Sequence, residues 1–232
     1  MIKMVVSSFY NTLRDNEEAI PVSTMLEIER IRKKKILFTI CTNGYYKEVL
    51  DYNRDFPFID YIVSLNGGIV YDVVKDRILS KVKFTKTTIK KINEIFNKYK
   101  VIYYSFDKPL KKVKEEDIYK IEIELKDKED LSELIDKLNV NTSILEKNNK
   151  KYLEITPRKS NMFNGIDGIG LRTGISLKDI LVIAGNESEI PLVKNIDKSL
   201  VVKNAPKTLK KYVKKQTNSN DNKGVERVLK KL

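Results

Sequence analysis

Three short apolar runs, rich in β-branched residues and separated by helix-like segments, constrain the fold of this chain most. Residues 1–8 (MIKMVVSS), 36–41 (ILFTIC) and the first half of 58–72 (FIDYIVSLNGGIVYD) read as buried strands. A polar loop over residues 11–21 follows the first run. VSTMLEIERIRKKK then places Met25, Leu26, Ile28 and Ile31 at near-helical spacing, and its closing lysines suit a helix C-terminus. Thr42-Asn43-Gly44 is a turn, YYKEVLDYNRD reads as a helix, and Asn66-Gly67-Gly68 turns the chain into a further short strand. Strand–helix alternation of this kind predicts a doubly wound parallel sheet.

The middle of the chain follows another rule. TKTTIKKINEIFNKYK carries Ile89, Ile92, Ile95, Phe96 and Tyr99 on one face of an amphipathic helix. VIYYSF reads as a strand, and IYKIEIEL alternates apolar and polar residues as a half-exposed antiparallel strand would. DKEDLSELIDKL reads as a helix opened by acidic residues, and SILEK and KKYLEIT as a closing strand pair around Asn148-Asn149. From Pro157 the first style returns, with a buried strand at residues 180–184, another at 200–203 and two lysine-rich helices. The expected architecture is an α/β core of residues 1–76 and 153–232, interrupted by an α+β cap of residues 77–152. The stretch FNGIDGIGLRTG holds Gly165, Gly168 and Gly170, and glycine costs about 1 kcal/mol per helical position against alanine, so a frayed helix is expected there.

Composition excludes much chemistry. The 232 residues contain no histidine and one cysteine, Cys41. Ser-His-Asp triads, Cys-His dyads and histidine- or cysteine-ligated zinc are therefore excluded, and an internal disulfide is impossible. A reducing cytoplasm is the expected location, and no apolar run reaches the roughly 20 residues of a membrane helix. The net charge of +13 comes mainly from lysine, 37 against eight arginines. Specific phosphate and base readers favour the arginine fork, so no nucleic-acid partner is expected. Residues 201–232 hold nine lysines and one arginine against two carboxylates, a net of +8. They read as amphipathic helices with Leu209, Val213, Val225, Val228 and Leu229 turned inward.

Seven segments in order resemble the haloacid dehalogenase (HAD) superfamily, specifically the Cof-type phosphatases with an α/β cap. SSFYNTL sits where the family has DxDGTL, and ICTNG where it has a strand ending in TGR. SLNGGIVYD and KYLEITPRKS resemble the segments entering and leaving the cap. ISLKDILVIAGNESEIPLV resembles the strand and GDxxND loop of the fourth motif, and VVKNAPKTLK and TNSNDNKGVERVL resemble the closing segments. The resemblance implies a HAD-like core and a Mg²⁺-dependent phosphatase in which one aspartate attacks phosphorus and a second acts as acid and base.

Matched residue by residue, this chain departs from that pattern. Ser8 stands at the nucleophile position and Tyr10 at the acid/base position. Met162 falls at the lysine position, with Arg158 and Lys159 out of register. Thr42 matches the phosphate-binding hydroxyl and Asn43 follows it. Asn186 replaces the fourth-motif aspartate, leaving Glu187 and Glu189 as that loop's carboxylates, which read as solvated. With no histidine and no neighbouring aspartate, Ser8 has no base in the sequence pattern. Asn186 and Glu189 remain as weak metal candidates, and with the ligand set lost no Mg²⁺ cofactor is expected. The expected function is that of a Cof-like member with a degenerate active site, binding a phosphorylated small molecule or a protein partner. The alternatives are an atypical phosphatase using Ser8 or the glutamates, and a basic polyanion-binding protein.

Overall fold

A computed structural model describes residues 1–106, 108–110, 117–126, 131–147 and 150–232. The expected Asn148-Asn149 turn and the acidic opening at residues 127–130 lie outside them.

The core is one seven-stranded sheet. β1 (Met4–Ser8), helix α1 (Val22–Lys33), β2 (Leu37–Cys41), α2 (Tyr46–Asn53) and β3 (Tyr61–Ser64) alternate as the apolar runs require. β4 (Ile69–Asp72) and β5 (Arg77–Lys81) continue the sheet as an antiparallel hairpin edge. The second half of the chain adds β11 (Ile180–Ala184) and β12 (Ser199–Val201) on the other side of β1, in the order β12-β11-β1-β2-β3-β4-β5. The five strands from β12 to β3 are parallel. Both faces of the central strands are covered, so Met4, Val5, Val6, Phe38 and Ile40 are fully buried. Each such aliphatic side chain contributes roughly 1.5–3 kcal/mol over an exposed one.

Between β5 and β11 lies a second, wholly antiparallel sheet. α3 (Lys86–Ile95) leads into β6 (Val101–Tyr104), β7 (Pro109–Leu110) and β8 (Lys120–Glu124); α4 (Ser132–Asp136) precedes β9 (Val140–Lys147) and β10 (Lys150–Pro157). Their order is β7-β6-β8-β10-β9. Thr85 caps α3 by accepting the Thr88 N–H at 3.1 Å. Ile89, Ile92 and Phe96 pack on Ile121, Ile123, Leu153 and Ile155, a cluster separate from that of the main sheet.

Three expectations change. By sheet membership the insertion begins after β5 and runs through Pro157, because β5 pairs with β4 and the whole of β10 pairs with β8 and β9. β8 is buried on both faces, its polar face included: Lys120 and Glu122 are 2% and 1% exposed. The glycine-rich stretch is a regular twelve-residue helix, α5 (Met162–Thr173), capped by Asn161 and ended by Gly174 in the left-handed region. Its glycine content reflects packing: a Cβ on Gly165 would stand 2.7 Å from a Val63 methyl.

The chain closes with α6 (Ile190–Asn195), α7 (Lys207–Lys210) and α8 (Gly224–Leu229). Leu209, Val213, Val225, Val228 and Leu229 are buried, but the lysine-rich helix expected over residues 206–215 is only the single turn of α7, so Val213 is buried from outside a helix. No helix among the described residues is long and apolar enough to cross a membrane.

Candidate functional site

β1, β2 and β11 end side by side, with Ser8 in register with Cys41 and Ser7 with Ile183. In an open parallel sheet the crevice beyond these carboxyl ends is where ligands bind. The loops that follow, residues 9–13, 42–45 and 185–189, bring Ser8, Tyr10, Thr42, Asn43, Asn186 and Glu189 together.

Ser8 is 1% exposed. Its Oγ accepts the Gly185 N–H at 3.2 Å, and its hydroxyl bonds to the Glu189 carboxylate. Gly185 has no room for a side chain, since a Cβ there would collide with the Thr12 hydroxyl. Glu189, expected as a solvated loop carboxylate, is 2% exposed. Its Oε2 accepts N–H bonds from Gly185 at 3.1 Å and Asn186 at 2.6 Å. Ser188 Oγ and Asn186 Nδ2 approach Oε1 at 3.4 and 3.5 Å. This is a reciprocal cap, with Asn186 at the first position and Glu189 three residues on. Desolvation raises the Glu189 pKa above the ordinary carboxylate value; hydrogen bonds from Ser8, Asn186 and Gly185 oppose that without cancelling it. Burial, and secondarily the Glu189 charge, also push the Cys41 thiol up. The expectation that Ser8 lacks a base is thus corrected: a carboxylate stands against it, though both groups are sealed from solvent.

Tyr10 turns away from Ser8. Its phenol donates to Glu48 Oε2 at 2.5 Å, and Arg14 reaches the other Glu48 oxygen at 3.4 Å. The Arg14 guanidinium lies 5.2, 5.2 and 5.3 Å from the ring centres of Phe9, Tyr10 and Tyr52. Burial, then the bond to Glu48, drive the Tyr10 pKa far above its ordinary value. The ring lies over the turn after β2, so that a Cβ on Gly44 would stand 2.6 Å from the phenol oxygen. Thr42 is enclosed beneath it: its hydroxyl accepts the Gly44 N–H at 3.0 Å and bonds to the phenol. Met162 opens α5 with 1% exposure, while Arg158 and Lys159 are exposed.

The antiparallel sheet places charge directly over these loops. Lys120 Nζ donates to the Asn43 carbonyl at 2.9 Å, to Glu122 at 2.9 Å and to Glu154 at 3.2 Å, and sits 4.0 Å from the Tyr104 ring centre. Asn66 Nδ2 donates to Glu154 at 2.5 Å, Ser143 Oγ donates to the same Glu154 oxygen at 3.1 Å, and the Tyr104 phenol donates to Glu122 at 2.6 Å. Burial works to lower the Lys120 pKa, but Glu154 and Glu122 outweigh it and the net shift is upward. Sequence reasoning missed Arg14, Glu48, Lys120, Glu122 and Glu154. The K-x-E alternation of β8 was visible, but an alternating strand looks the same whether its polar face meets water or another domain.

Two cavities flank Glu154. One, of about 620 Å³, is lined by Asn11, Asn43, Asn186 and Asn204 with Ser143, Glu154 and Glu187. The other, of about 690 Å³, includes Asn66, Asp136, Arg158 and Met162. Ser8, Thr42 and Glu189 line neither.

The Mg²⁺ that the resemblance implies does not fit these residues. A small hard cation takes several anionic oxygens in near-octahedral geometry. Here Asn186 Oδ1 accepts from Asn11 Nδ2 at 3.0 Å, and the Glu189 oxygens are held by the cap. Among the described residues no group of three or more acidic, histidine or cysteine side chains is placed to hold a metal.

No curated protein matches the chain in sequence. Solved structures match it closely in shape. A haloacid dehalogenase-like hydrolase from B. subtilis is 13% identical, with TM-score 0.87 and 100% of each chain covered. One from Bacteroides thetaiotaomicron is 14% identical, with TM-score 0.81 and 100% and 99% covered. A protein from Plasmodium vivax described as HAD/COF-like is 20% identical, with TM-score 0.79 and 99% and 95% covered. At such identities the likeness establishes the fold. The sequence pattern of the haloacid dehalogenase-like hydrolases runs through residues 9–108 and 104–229, and with it the chain belongs to that family, in its Cof-like branch.

Proposed function

We propose that this chain does not carry out the phosphoryl transfer of its family and acts as a small-molecule-binding protein. One observation carries the reading. At the strand ends the nucleophile position is a serine sealed at 1% exposure, outside both cavities. A phosphorus atom would have to come within about 3–3.5 Å of an attacking oxygen to react. Tyr10 adds to the argument by covering Thr42, the one family side chain retained for phosphate. Met162 and Asn186 supply neither the positive charge nor the carboxylate that the family's transition state requires.

The Ser8–Glu189 contact favours a second reading, a serine nucleophile activated by a buried carboxylate. The two are separated by phosphate release from sugar phosphates, nucleotides and a chromogenic ester, with Mg²⁺ present. The native protein is expected to release none. A Ser8→Asp, Tyr10→Asp, Met162→Lys, Asn186→Asp variant serves as the test of the scaffold, and any gain there supports loss at these positions. Turnover by the native protein that disappears in Ser8→Ala would establish the second reading in place of the first.

A further inference from the structure

The cleft between the two sheets has the wrong charge for a phosphate ester. The 620 Å³ cavity lies within the size range of small-molecule sites. Among the described residues lining it there is no lysine or arginine, while Glu154 and Glu187 are both present. Two buried cations of the site are committed elsewhere. Lys120 is held by two carboxylates and the Asn43 carbonyl, and Arg14 by Glu48, Glu18 and three aromatic rings. The adjoining cavity brings one arginine, Arg158, against Asp136, Glu154 and Glu187. Lys120 offsets only one of Glu122 and Glu154, so a dianionic phosphate entering the 620 Å³ cavity would lose its hydration beside an excess of carboxylate charge, with no cation among the described residues that line it.

The lining is well matched to another chemistry. Carboxamides and carboxylates supply the mixed donors and acceptors that hydroxyl groups pair with. Asn186 is locked by Asn11 Nδ2 and by its own bond to the Tyr10 carbonyl at 2.9 Å, and Asn204 Nδ2 holds the Asn11 carbonyl at 2.9 Å. Asn43 lines the cavity as well, with its backbone carbonyl held by Lys120. Ile144, 48% exposed, and Leu145 give one wall an apolar surface suited to C–H groups. Resting on the reading of this site as one that binds without hydrolysing, we propose that the cleft takes an unphosphorylated, polyhydroxylated small molecule that is uncharged or carries an amine.

The test is calorimetric titration with a panel of pentoses, hexoses, their polyols and amino sugars, each paired with its phosphate ester. Released phosphate is measured in the same samples. At least one unphosphorylated member should bind, and its ester should bind at least about tenfold more weakly, because each added charge meets like charge at short range. Glu187→Lys, a change at a solvent-accessible position, should weaken the parent compound and narrow or reverse that ratio. Esters that bind as tightly as their parents, a panel that does not bind, or affinity unchanged by Glu187→Lys each overturn the proposal. Release of phosphate from an ester overturns instead the reading of the site as non-hydrolytic, so the two failures are distinguishable.

Discussion

Replacing Lys120 by methionine keeps most of the side-chain volume and removes one charge from a sealed cluster. Glu122 and Glu154, 1% and 2% exposed, would then face each other without a cation, and the Asn43 carbonyl would lose its donor. Removing one partner of a buried ion pair costs about 3–5 kcal/mol. For a chain of this size each kcal/mol is worth about 2–4 °C, so Tm at pH 8 should fall by about 6–20 °C. In the native protein the Lys120 contribution is complete below the ordinary lysine value and fades as pH rises through its raised folded value. Circular-dichroism melts of Lys120→Met and of Lys120→Met/Glu122→Gln/Glu154→Gln at pH 8 decide the matter. The triple variant should recover most of the lost stability. A Lys120→Met protein melting within about 1 °C of the native at pH 8 would refute the reasoning, since no uncompensated buried charge could then be present.

Two further outcomes follow from the packing. Because burial raises the Glu189 pKa, the folded state binds that proton more tightly than the unfolded chain, and stability falls as pH rises above the ordinary carboxylate value. Glu189→Gln should flatten that segment of the stability profile, measured by urea denaturation from pH 4.5 upward, while costing about 1–3 kcal/mol by setting an amide donor against the Asn186 Nδ2 donor. In α5, Gly165→Ala should cost about 1–3 kcal/mol through collision with Val63, whereas Gly168→Ala, whose Cβ meets nothing within 4 Å, should gain about 0.5–1 kcal/mol; paired thermal melts check the opposite signs.

The alternation of apolar runs and amphipathic segments made the main sheet legible, because a parallel strand buried on both faces leaves a continuous β-branched run that little else produces. The helix over residues 162–173 was not legible. Helix propensity weighs glycine by its entropy, while Gly165 is there because Val63 lies against the helix. The positions brought together at the strand ends could be named from their order along the chain, but their surroundings could not. Asn186 and Glu189 carry the spacing of a reciprocal cap, and that signal accounts for the burial of a glutamate read as solvated. Nothing local to residues 120–122 says that their polar face meets another sheet, since that depends on how the insertion folds back over the core.

The reach of Lys120 to the Asn43 carbonyl also sets a clock. Asn43 lines the cleft, so parting the two sheets to admit any molecule larger than the standing gap requires the ammonium to leave that carbonyl, while Glu122 and Glu154, on its own sheet, move with it. Entry of such a molecule is then limited by a unimolecular step within the protein. Its observed association rate should level off with rising concentration, and once inside it should depart slowly, whatever its equilibrium affinity.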